Sequence, residues 1–192
     1  MTIAYNLSWT KHITNVTLKL SKQNSILYLT RDFFTRDNLK SVYYCLIYPH
    51  LIYCNAIWGA TFNSQLKPLV ITQKKIVRTI TFSSRYAHTQ PLFSLLKILN
   101  VYQINKLITS LFVFKSLNNL IDFENLFHFS NEFHNRALRD PLRLRPPQVR
   151  STRSQQSIVS NGCRIWNELP LNIRESTSLN IFKNNIKRYL QN

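Results

Sequence analysis

Glycine is nearly absent from this chain of 192 residues, which holds only Gly59 and Gly162. Tight β-hairpins and phosphate-cradling loops both depend on glycine, because glycine enters the left-handed backbone region without a steric penalty. An all-β fold, a Walker loop and a Rossmann fingerprint are therefore disfavoured. The 44% of hydrophobic residues is sufficient for a buried core, so global disorder is not expected.

Acidic residues are also scarce, with eight Asp and Glu against 25 Lys and Arg. Two-metal phosphoryl transfer needs carboxylates that converge on Mg²⁺. The sequence has no Asp-Asp pair and no acid inside an apolar, strand-like run. No catalytic residue is predicted, and we interpret the acids as charges of helix ends and loops; they are Asp32, Asp37, Asp122, Glu124, Glu132, Asp140, Glu168 and Glu175.

The three cysteines are odd in number and unevenly spaced, so they predict no disulfide framework and favour a reducing compartment. Cys45, His50 and Cys54 resemble half of a zinc site, but structural zinc takes four ligands and no fourth follows at a matching spacing. Cysteine and histidine in an apolar helix more often belong to the core. Hydrolase chemistry is unsupported, because no nucleophile-elbow glycine accompanies a Ser/His/Asp or Cys/His series. No metal or other cofactor is predicted.

Targeting and membrane segments are not apparent in the sequence. The first residues, MTIAYNLSWTKHI, have no basic region followed by an apolar run, so no signal peptide is predicted. The most apolar stretch, VYYCLIYPHLIYCNAIW, is interrupted by Pro49, His50 and Asn55 and is too short and too polar to span a bilayer. We expect an intracellular protein without a membrane partner.

Positive charge is what the chain has in excess, with a formal net charge of +17. A compact body with this charge repels itself unless a polyanion neutralises it. Nucleic acid is the commonest partner of this kind, and an acidic membrane surface is the next. The plain alternative is a domain of high pI that has no specific partner.

Apolar residues recur at helical spacing through the first 120 residues. Ser8 is a candidate cap for the first helix, and Thr89 with Pro91 suits the start of a short one. Pro49 is expected to kink the second helix or to restart it as two. That second helix is apolar nearly all round and is expected to be the buried central element. The sequence thus predicts a mainly α fold that begins with a bundle of about five helices, over residues 7–31, 36–58, 63–82, 88–99 and 101–120.

The periodicity fades after residue 120, where six arginines and three prolines accumulate and predict an extended Arg/Pro-rich connector. The adjacent Pro146 and Pro147 stiffen it. After it, SIVSNGCRIWNELP is compatible with a short β element and a helical turn around Trp166, and an amphipathic helix capped by Ser178 follows. The predicted domains are a thumb-like bundle, the connector and a C-terminal segment, over residues 1–120, 121–156 and 157–192.

Several strings then occur in a specific order from Ile3 to Leu190. They are NLSWTKHI, LKSVYYCLIYPHLIYCNAIWG, LKPLVITQKKIVRTI, HTQPLF, and SIVSNGCRIWNELPLNIR followed by FKNNIKRYL. In this order and spacing they resemble the region after the catalytic palm in reverse transcriptases of non-LTR retrotransposons, the LINE elements of the jockey/CR1-like kind. The F/Y-A-D-D box and the apurinic-type endonuclease of that family do not occur in the sequence, and Ala4 stands where the family tends to have an acid.

The resemblance implies the thumb and C-terminal segment of an RNA-directed DNA polymerase. Such a segment grips template RNA and primer DNA, as an RNA–DNA hybrid, while catalytic aspartates and Mg²⁺ in the palm perform the chemistry. We therefore expect a non-catalytic fragment or a decayed copy of an element, inactive alone, with RNA, DNA and the palm and fingers of the parent polymerase as partners. The resemblance implies a location in the nucleus or in a cytoplasmic ribonucleoprotein.

Lys and Arg supply phosphate contacts, and exposed aromatic rings stack on bases. Phe133, His134 and Trp166 are the candidates for stacking. A helical protein-interaction module, a remnant without independent activity and, more remotely, a complete polymerase are the competing hypotheses. A solvent-exposed charged face would explain the two lysines of the last helix equally well. The predicted phosphate-binding residues are Lys74, Lys75, Arg78, Arg143, Arg145, Arg150, Arg153, Lys183 and Lys187.

Overall fold

The structure, a computed structural model, describes Ile3 and residues 8–123, 126–133 and 140–191. These residues are mainly helical and contain no strand or sheet, which confirms the mainly α prediction. None of the helices in this part of the chain is long and apolar enough to cross a bilayer. In chain order the helices are α1 Thr10–Thr30, α2 Arg36–Val42, α3 Tyr48–Ile52, α4 Asn55–Trp58, α5 Asn63–Ile80, α6 Gln90–Leu96, α7 Val101–Leu117, α8 Thr152–Gln155, α9 Ile158–Glu168, α10 Leu171–Arg174 and α11 Leu179–Gln191.

The chain divides into two compact units. The first unit runs to Ile104 and includes Gln191, and the second unit is Asn105–Leu190. A compact unit need not be a domain that folds alone. The three domains expected from the sequence therefore stay predictions.

In the first unit, α1 packs along α5. The apolar residues predicted for the inner face of α1 are all buried: Ile13, Val16, Leu20 and Leu27. The cap prediction is less accurate, because α1 begins after Trp9 and the Ser8 hydroxyl accepts from the neighbouring backbone N–H of Thr10 at 3.2 Å. Periodicity thus located the buried face of α1 correctly and missed the detail of its first turn.

Residues 36–58 are broken more often than the sequence predicts. Pro49 stands in the first turn of α3, after a π-helical turn at Tyr43–Ile47. A second break follows at Cys54, whose φ of 50° lies in the left-handed region. The local sequence gave no sign of this second break, since left-handed positions favour Gly or Asn rather than cysteine.

The stretch was expected to be the buried central element because it is apolar nearly all round, but its large apolar side chains are fully buried along one stripe. The inner stripe is Leu39, Tyr43, Ile47, Leu51 and Trp58. Outside this stripe several large apolar side chains are exposed. They are Tyr44, Leu46, Tyr53 and Ile57.

A buried amide ties α5 to two other segments of the first unit. Gln73 Nε2 donates to the Tyr43 hydroxyl at 3.0 Å and to the Leu99 carbonyl at 2.9 Å. The Gln73 Oε1 accepts from the backbone N–H of Val101 at 2.9 Å. A buried amide needs partners of this kind because an unsatisfied polar group is costly. Gln73 therefore fixes the position of α5, which carries the predicted cations.

In the second unit the predicted strand is wrong, because α9 continues as one helix through Gly162. Ser157 caps this helix by accepting from the backbone N–H of Ser160 at 3.3 Å. A Cβ on Gly162 would lie 2.9 Å from Cε1 of Phe127 and 3.0 Å from Cγ2 of Val113. Gly162 thus allows close packing inside a helix.

Aromatic rings form the centre of the second unit. Phe182 of α11 stacks on Phe114 with ring centroids 4.4 Å apart and lies beside Trp166 at 5.8 Å. As predicted, α11 begins after Ser178, whose hydroxyl accepts from the backbone N–H of Ile181 at 3.3 Å. These contacts hold the C-terminal helix against α7 and α9.

Candidate nucleic-acid interface

One side of α5 carries a row of cations, which we call the α5 face: Lys67, Lys74, Lys75 and Arg78. Lys67, Lys74 and Arg78 are seven and four residues apart, so they lie on the same side of the helix, and Lys75 stands about 100° further round. At a rise of about 1.5 Å per residue, these intervals are about 10 Å and about 6 Å. No acid occurs within α5. Lys67 was not predicted from the sequence, because seven residues separate it from Lys74.

The members of the α5 face differ in exposure. Lys67, Lys74 and Lys75 are exposed, whereas Arg78 is half-buried. The Nε of Arg78 donates to the Ala87 carbonyl at 3.0 Å, so one of its five N–H donors supports the following turn. The structure therefore brings the three predicted residues Lys74, Lys75 and Arg78 together, and it gives Arg78 a second, structural role.

A cavity of about 300 Å³ adjoins Lys74. Hydrogen-bonding groups and an exposed aromatic ring, that of Tyr102, contribute to its wall. This combination suits a phosphate next to a ring. The cavity is lined by Val70, Lys74, His88, Thr89, Gln90, Phe93, Asn100 and Tyr102.

In the second unit, Arg143 and Arg145 flank a buried residue, Leu144. An isolated antiparallel bridge joins Leu144 to Phe129. The two arginines are exposed. Side chains alternate along an extended segment, so Arg143 and Arg145 share a side, with Cα atoms about 7 Å apart.

The backbone between the two arginines is held on both sides. The Asn167 side chain accepts from the Leu144 N–H and donates to the Leu144 carbonyl, both at 2.9 Å. The Arg143 carbonyl accepts from Ser130 N–H at 2.8 Å, and the Arg145 N–H donates to the His128 carbonyl at 2.9 Å. This part of the connector is therefore an ordered segment that presents its arginines from a fixed backbone.

The connector is not extended throughout, which corrects the prediction for residues 121–156. Ser130–Phe133 forms a 3₁₀ turn, and Arg153 lies in α8. Arg150 is exposed in a segment, 145–150, without regular secondary structure, and Arg153 is exposed as well. The structure thus brings Arg143 and Arg145 together on one ordered segment, whereas Arg150 and Arg153 follow in other parts of the connector.

Lys183 and Lys187 lie one turn apart on α11, a helix without acids. Lys183 is exposed and Lys187 is half-buried. Burial, and to a smaller degree the charge of Lys183, lower the pKa of Lys187. A bound anion would oppose this shift, because an opposite charge favours the protonated amine.

Trp166 is not available for stacking on bases, so that prediction is wrong. It is 2% exposed, and its indole N–H donates to the Leu142 carbonyl at 2.9 Å. A buried tryptophan normally finds such a partner, and here the bond fixes the chain just before Arg143. His134 and the side chain of Phe133, the other two stacking candidates, lie outside the described residues, as do Arg136 and Arg139.

The three cysteines have free thiols in different surroundings. Cys45 is exposed, Cys54 is half-buried and Cys163 is buried. Burial raises the pKa of the Cys163 thiol to about 11. Within the described part of the chain, no three His, Cys, Asp or Glu side chains are grouped so that they could hold a metal ion.

Comparisons with known proteins identify no family for this chain, so the resemblance rests on the short sequence strings alone. No protein-family model, no curated protein and no solved structure matches the chain. The similarity to reverse transcriptases of non-LTR retrotransposons therefore stays a resemblance, and any function drawn from it is a proposal.

Proposed function

We propose that this chain binds nucleic acid through its phosphates, with the α5 face as the principal contact. The observation that carries the proposal is the row of four cations on a helix without acids. Lysine and arginine side chains neutralise phosphates and release the condensed counterions. Because these cations follow one another along a single helix, several residues of the face can contact one strand.

Arg143 and Arg145, and more weakly Arg150, Arg153, Lys183 and Lys187, are secondary contacts in this proposal. Arg143 and Arg145 are exposed on either side of Leu144, whose backbone is fixed by two hydrogen bonds with the Asn167 side chain. Phosphate contacts of this kind position a nucleic acid without reading its sequence. The proposed activity is therefore general binding of RNA, DNA or an RNA–DNA hybrid.

For the origin of the chain, we propose the thumb and C-terminal segment of a non-LTR retrotransposon RNA-directed DNA polymerase. The string LKPLVITQKKIVRTI, which supports the resemblance, forms most of α5 and contains all four cations of the α5 face. In this proposal the segment grips template and primer and performs no chemistry. Primer extension by the purified chain would contradict the non-catalytic part.

A salt titration of binding tests the α5 face. In the triple variant Lys67→Gln, Lys74→Gln and Lys75→Gln, the slope of log affinity against log salt should fall by about 0.7 to 0.9 per lost contact. A control of equal charge is Lys11→Gln, Arg36→Gln and Lys97→Gln, since these three cations are exposed and lie off α5. The control should keep most of the slope. Equal losses in the two variants, or no salt-sensitive binding to any nucleic acid, would refute the proposal.

A helical protein-interaction module is the second candidate function. It is favoured by an apolar group at the end of α1, where Leu29 is 75% and Phe33 is 85% exposed, beside the exposed Ile26, Tyr28 and Phe34. Exposed apolar clusters mark sites of protein association. If the partner is the palm of a parent polymerase, co-expression with a palm-containing fragment should relieve aggregation of the isolated chain. No change in solubility would count against this candidate.

A further inference from the structure

A second cavity of the first unit lies between α1 and α3, well apart in sequence from the α5 face. Its volume is about 390 Å³, within the range of about 300 to 1,000 Å³ that is typical of small-ligand sites. Most of its wall comes from successive turns of α1, and the rest from the end of α3. It is lined by His12, Asn15, Val16, Leu18, Lys19, Lys22, His50 and Tyr53.

The charge of this cleft is of one sign. Lys19 and Lys22 are exposed, lie three residues apart on α1 and share its wall. None of the described residues that line the cleft is an acid, and α1 contains no acid along its length. Two ammonium groups without a carboxylate partner favour an anion, and a phosphate is the anion that offers each of them a charge-assisted hydrogen bond.

His12 adds a polar group that the protein itself does not satisfy. Its side chain is 8% exposed, and Nε2 is buried without a hydrogen-bond partner. The ring packs edge-on against Trp58 with centroids 5.6 Å apart. Burial, and to a smaller degree Lys19, lower the pKa of His12, so the ring is neutral at pH 7. An unpaired nitrogen in the wall of a cleft is unfavourable until a ligand supplies a partner.

Tyr53 supplies a flat ring at the edge of the same cleft. It is 58% exposed, so its ring is open to a ligand. Its backbone is fixed, since the Trp58 indole N–H donates to the Tyr53 carbonyl at 2.8 Å. An exposed ring on a fixed backbone is the kind of platform on which a base stacks.

We propose that the cleft between α1 and α3 binds a single nucleotide. Lys19 and Lys22 contact its phosphate, the base stacks on Tyr53, and the His12 ring, whose Nε2 is covered in the free protein, turns to pair with a polar group of the ligand. The nucleotide is either the phosphorylated end of a bound strand, in which case the site rests on the proposed function, or a free nucleoside monophosphate. Both sources present the same phosphate and ring to these residues.

Calorimetric titration of the full chain with adenosine 5′-monophosphate and with inorganic phosphate tests the site. The double variant Lys19→Gln/Lys22→Gln should weaken binding of both ligands about tenfold, because it removes two charge-assisted contacts. Tyr53→Leu should weaken the nucleotide about fivefold through lost stacking and leave phosphate unchanged. The matched control is Lys11→Gln, an exposed lysine of α1 that does not line the cleft.

Competition with short single strands separates the two sources. Displacement of the nucleotide by a 5′-phosphorylated strand, and not by its 5′-hydroxyl counterpart, identifies a strand end as the ligand. Displacement by neither identifies a free nucleotide. Undetectable binding of adenosine 5′-monophosphate, or an equal loss in Lys11→Gln, would overturn the site. The α5 triple variant should retain nucleotide binding, so failure at the cleft and failure at the α5 face are distinguishable.

Discussion

The two compact units have similar numbers of cations and differ in the acids that accompany them. Residues 1–104 hold twelve Lys and Arg and two acids, whereas residues 105–190 hold thirteen and six. Among the described residues, the ion pair of the first unit is Arg31–Asp32 at 3.4 Å. The described residues of the second unit contain three Arg or Lys ion pairs, Arg174–Asp140, Arg164–Glu168 and Lys106–Glu168, and a contact between His128 and Glu132.

This difference shows that positive charge alone does not identify the side chains that bind phosphate. Arg174 is buried, contacts both Asp140 oxygens at 3.1 and 2.8 Å, and donates to the Leu169 carbonyl at 3.0 Å. Lys74 has the same formal charge but is exposed on a helix without acids. Cations of the first kind hold the protein together, and those of the second kind are available to a polyanion.

The largest expected effect is on stability and concerns Arg174. Arg174→Ala should lower the free energy of unfolding by about 3 kcal/mol, because it leaves the Asp140 carboxylate and the Leu169 carbonyl without their partner. Denaturant unfolding followed by circular dichroism measures the change. Arg188→Ala, at an exposed position of the same unit that is not a proposed phosphate contact, is the control and should be nearly neutral. Nucleic-acid affinity per folded molecule should be unchanged in both variants, and a stable Arg174→Ala protein would contradict the structural role.

The next effect is at Gly162, where two physical trends have opposite signs. Alanine is favoured over glycine inside a helix by about 1 kcal/mol. The added Cβ would meet the Phe127 ring at 2.9 Å, and overpacking of this kind costs about 1 to 3 kcal/mol. We expect Gly162→Ala to be destabilising by about 1 kcal/mol, as measured by denaturant unfolding. Adding Phe127→Leu should recover part of this loss, and a stabilising Gly162→Ala would show that the ring moves aside freely.

A smaller effect is expected on the salt dependence of nucleic-acid affinity, which can be compared directly between double variants of the two units. A fourfold rise in salt concentration lowers the affinity of both chains for nucleic acid. Because Lys74→Gln/Lys75→Gln has lost two phosphate contacts, the fold-loss of affinity should be about tenfold larger for the wild-type chain than for this variant. For Lys183→Gln/Lys187→Gln the corresponding factor is about threefold, that of one contact, since Lys187 is half-buried. Filter binding at two salt concentrations measures both. Equal factors would show that the second unit contributes as much as the first.

The smallest effect is the pH dependence due to His12. Its pKa is lowered in the folded protein, so the unfolded chain binds more protons below pH 6.5. The contribution of the neutral His12 side chain to the free energy of unfolding is therefore complete above pH 6.5, and it is lost as the pH falls below this value. Unfolding midpoints of the wild type and of His12→Gln, measured between pH 7.5 and pH 5.5, should diverge in slope. Identical slopes would contradict the assignment to His12.

Local periodicity correctly predicted the helices that bury one regular stripe of apolar residues. Most of the features that it did not predict depend on contacts between residues far apart in the chain. Leu20 and Ile76 are buried as their spacing indicates. The close approach of Gly162 to the ring of Phe127, 35 residues earlier in the chain, is not visible in a local pattern. Trp166 suggested a stacking platform for the same reason, since its partner is the carbonyl of Leu142.

The candidate sites were also predictable only where their residues lie close together in the sequence. Lys74, Lys75 and Arg78 were predicted because they fall within one short string, and the structure adds Lys67 from two turns earlier on the same side of α5. The cleft between α1 and α3 was not predicted, because it joins Lys19 and Lys22 to His50 and Tyr53 from another helix. A lysine pair at this spacing is common on helix surfaces, so the sequence offered no signal for it.

The held backbone around Leu144 has a consequence for the entropy of binding. A flexible basic tail loses backbone freedom when it meets a phosphate chain, at a cost of about 1 to 2 kcal/mol per ordered residue. Asn167 and the bridge to Phe129 have already ordered the segment from Arg143 to Arg145 in the free protein. Only side-chain freedom is left to lose there, so, if the proposed binding occurs, these arginines should give a larger net affinity than the same arginines in a disordered tail.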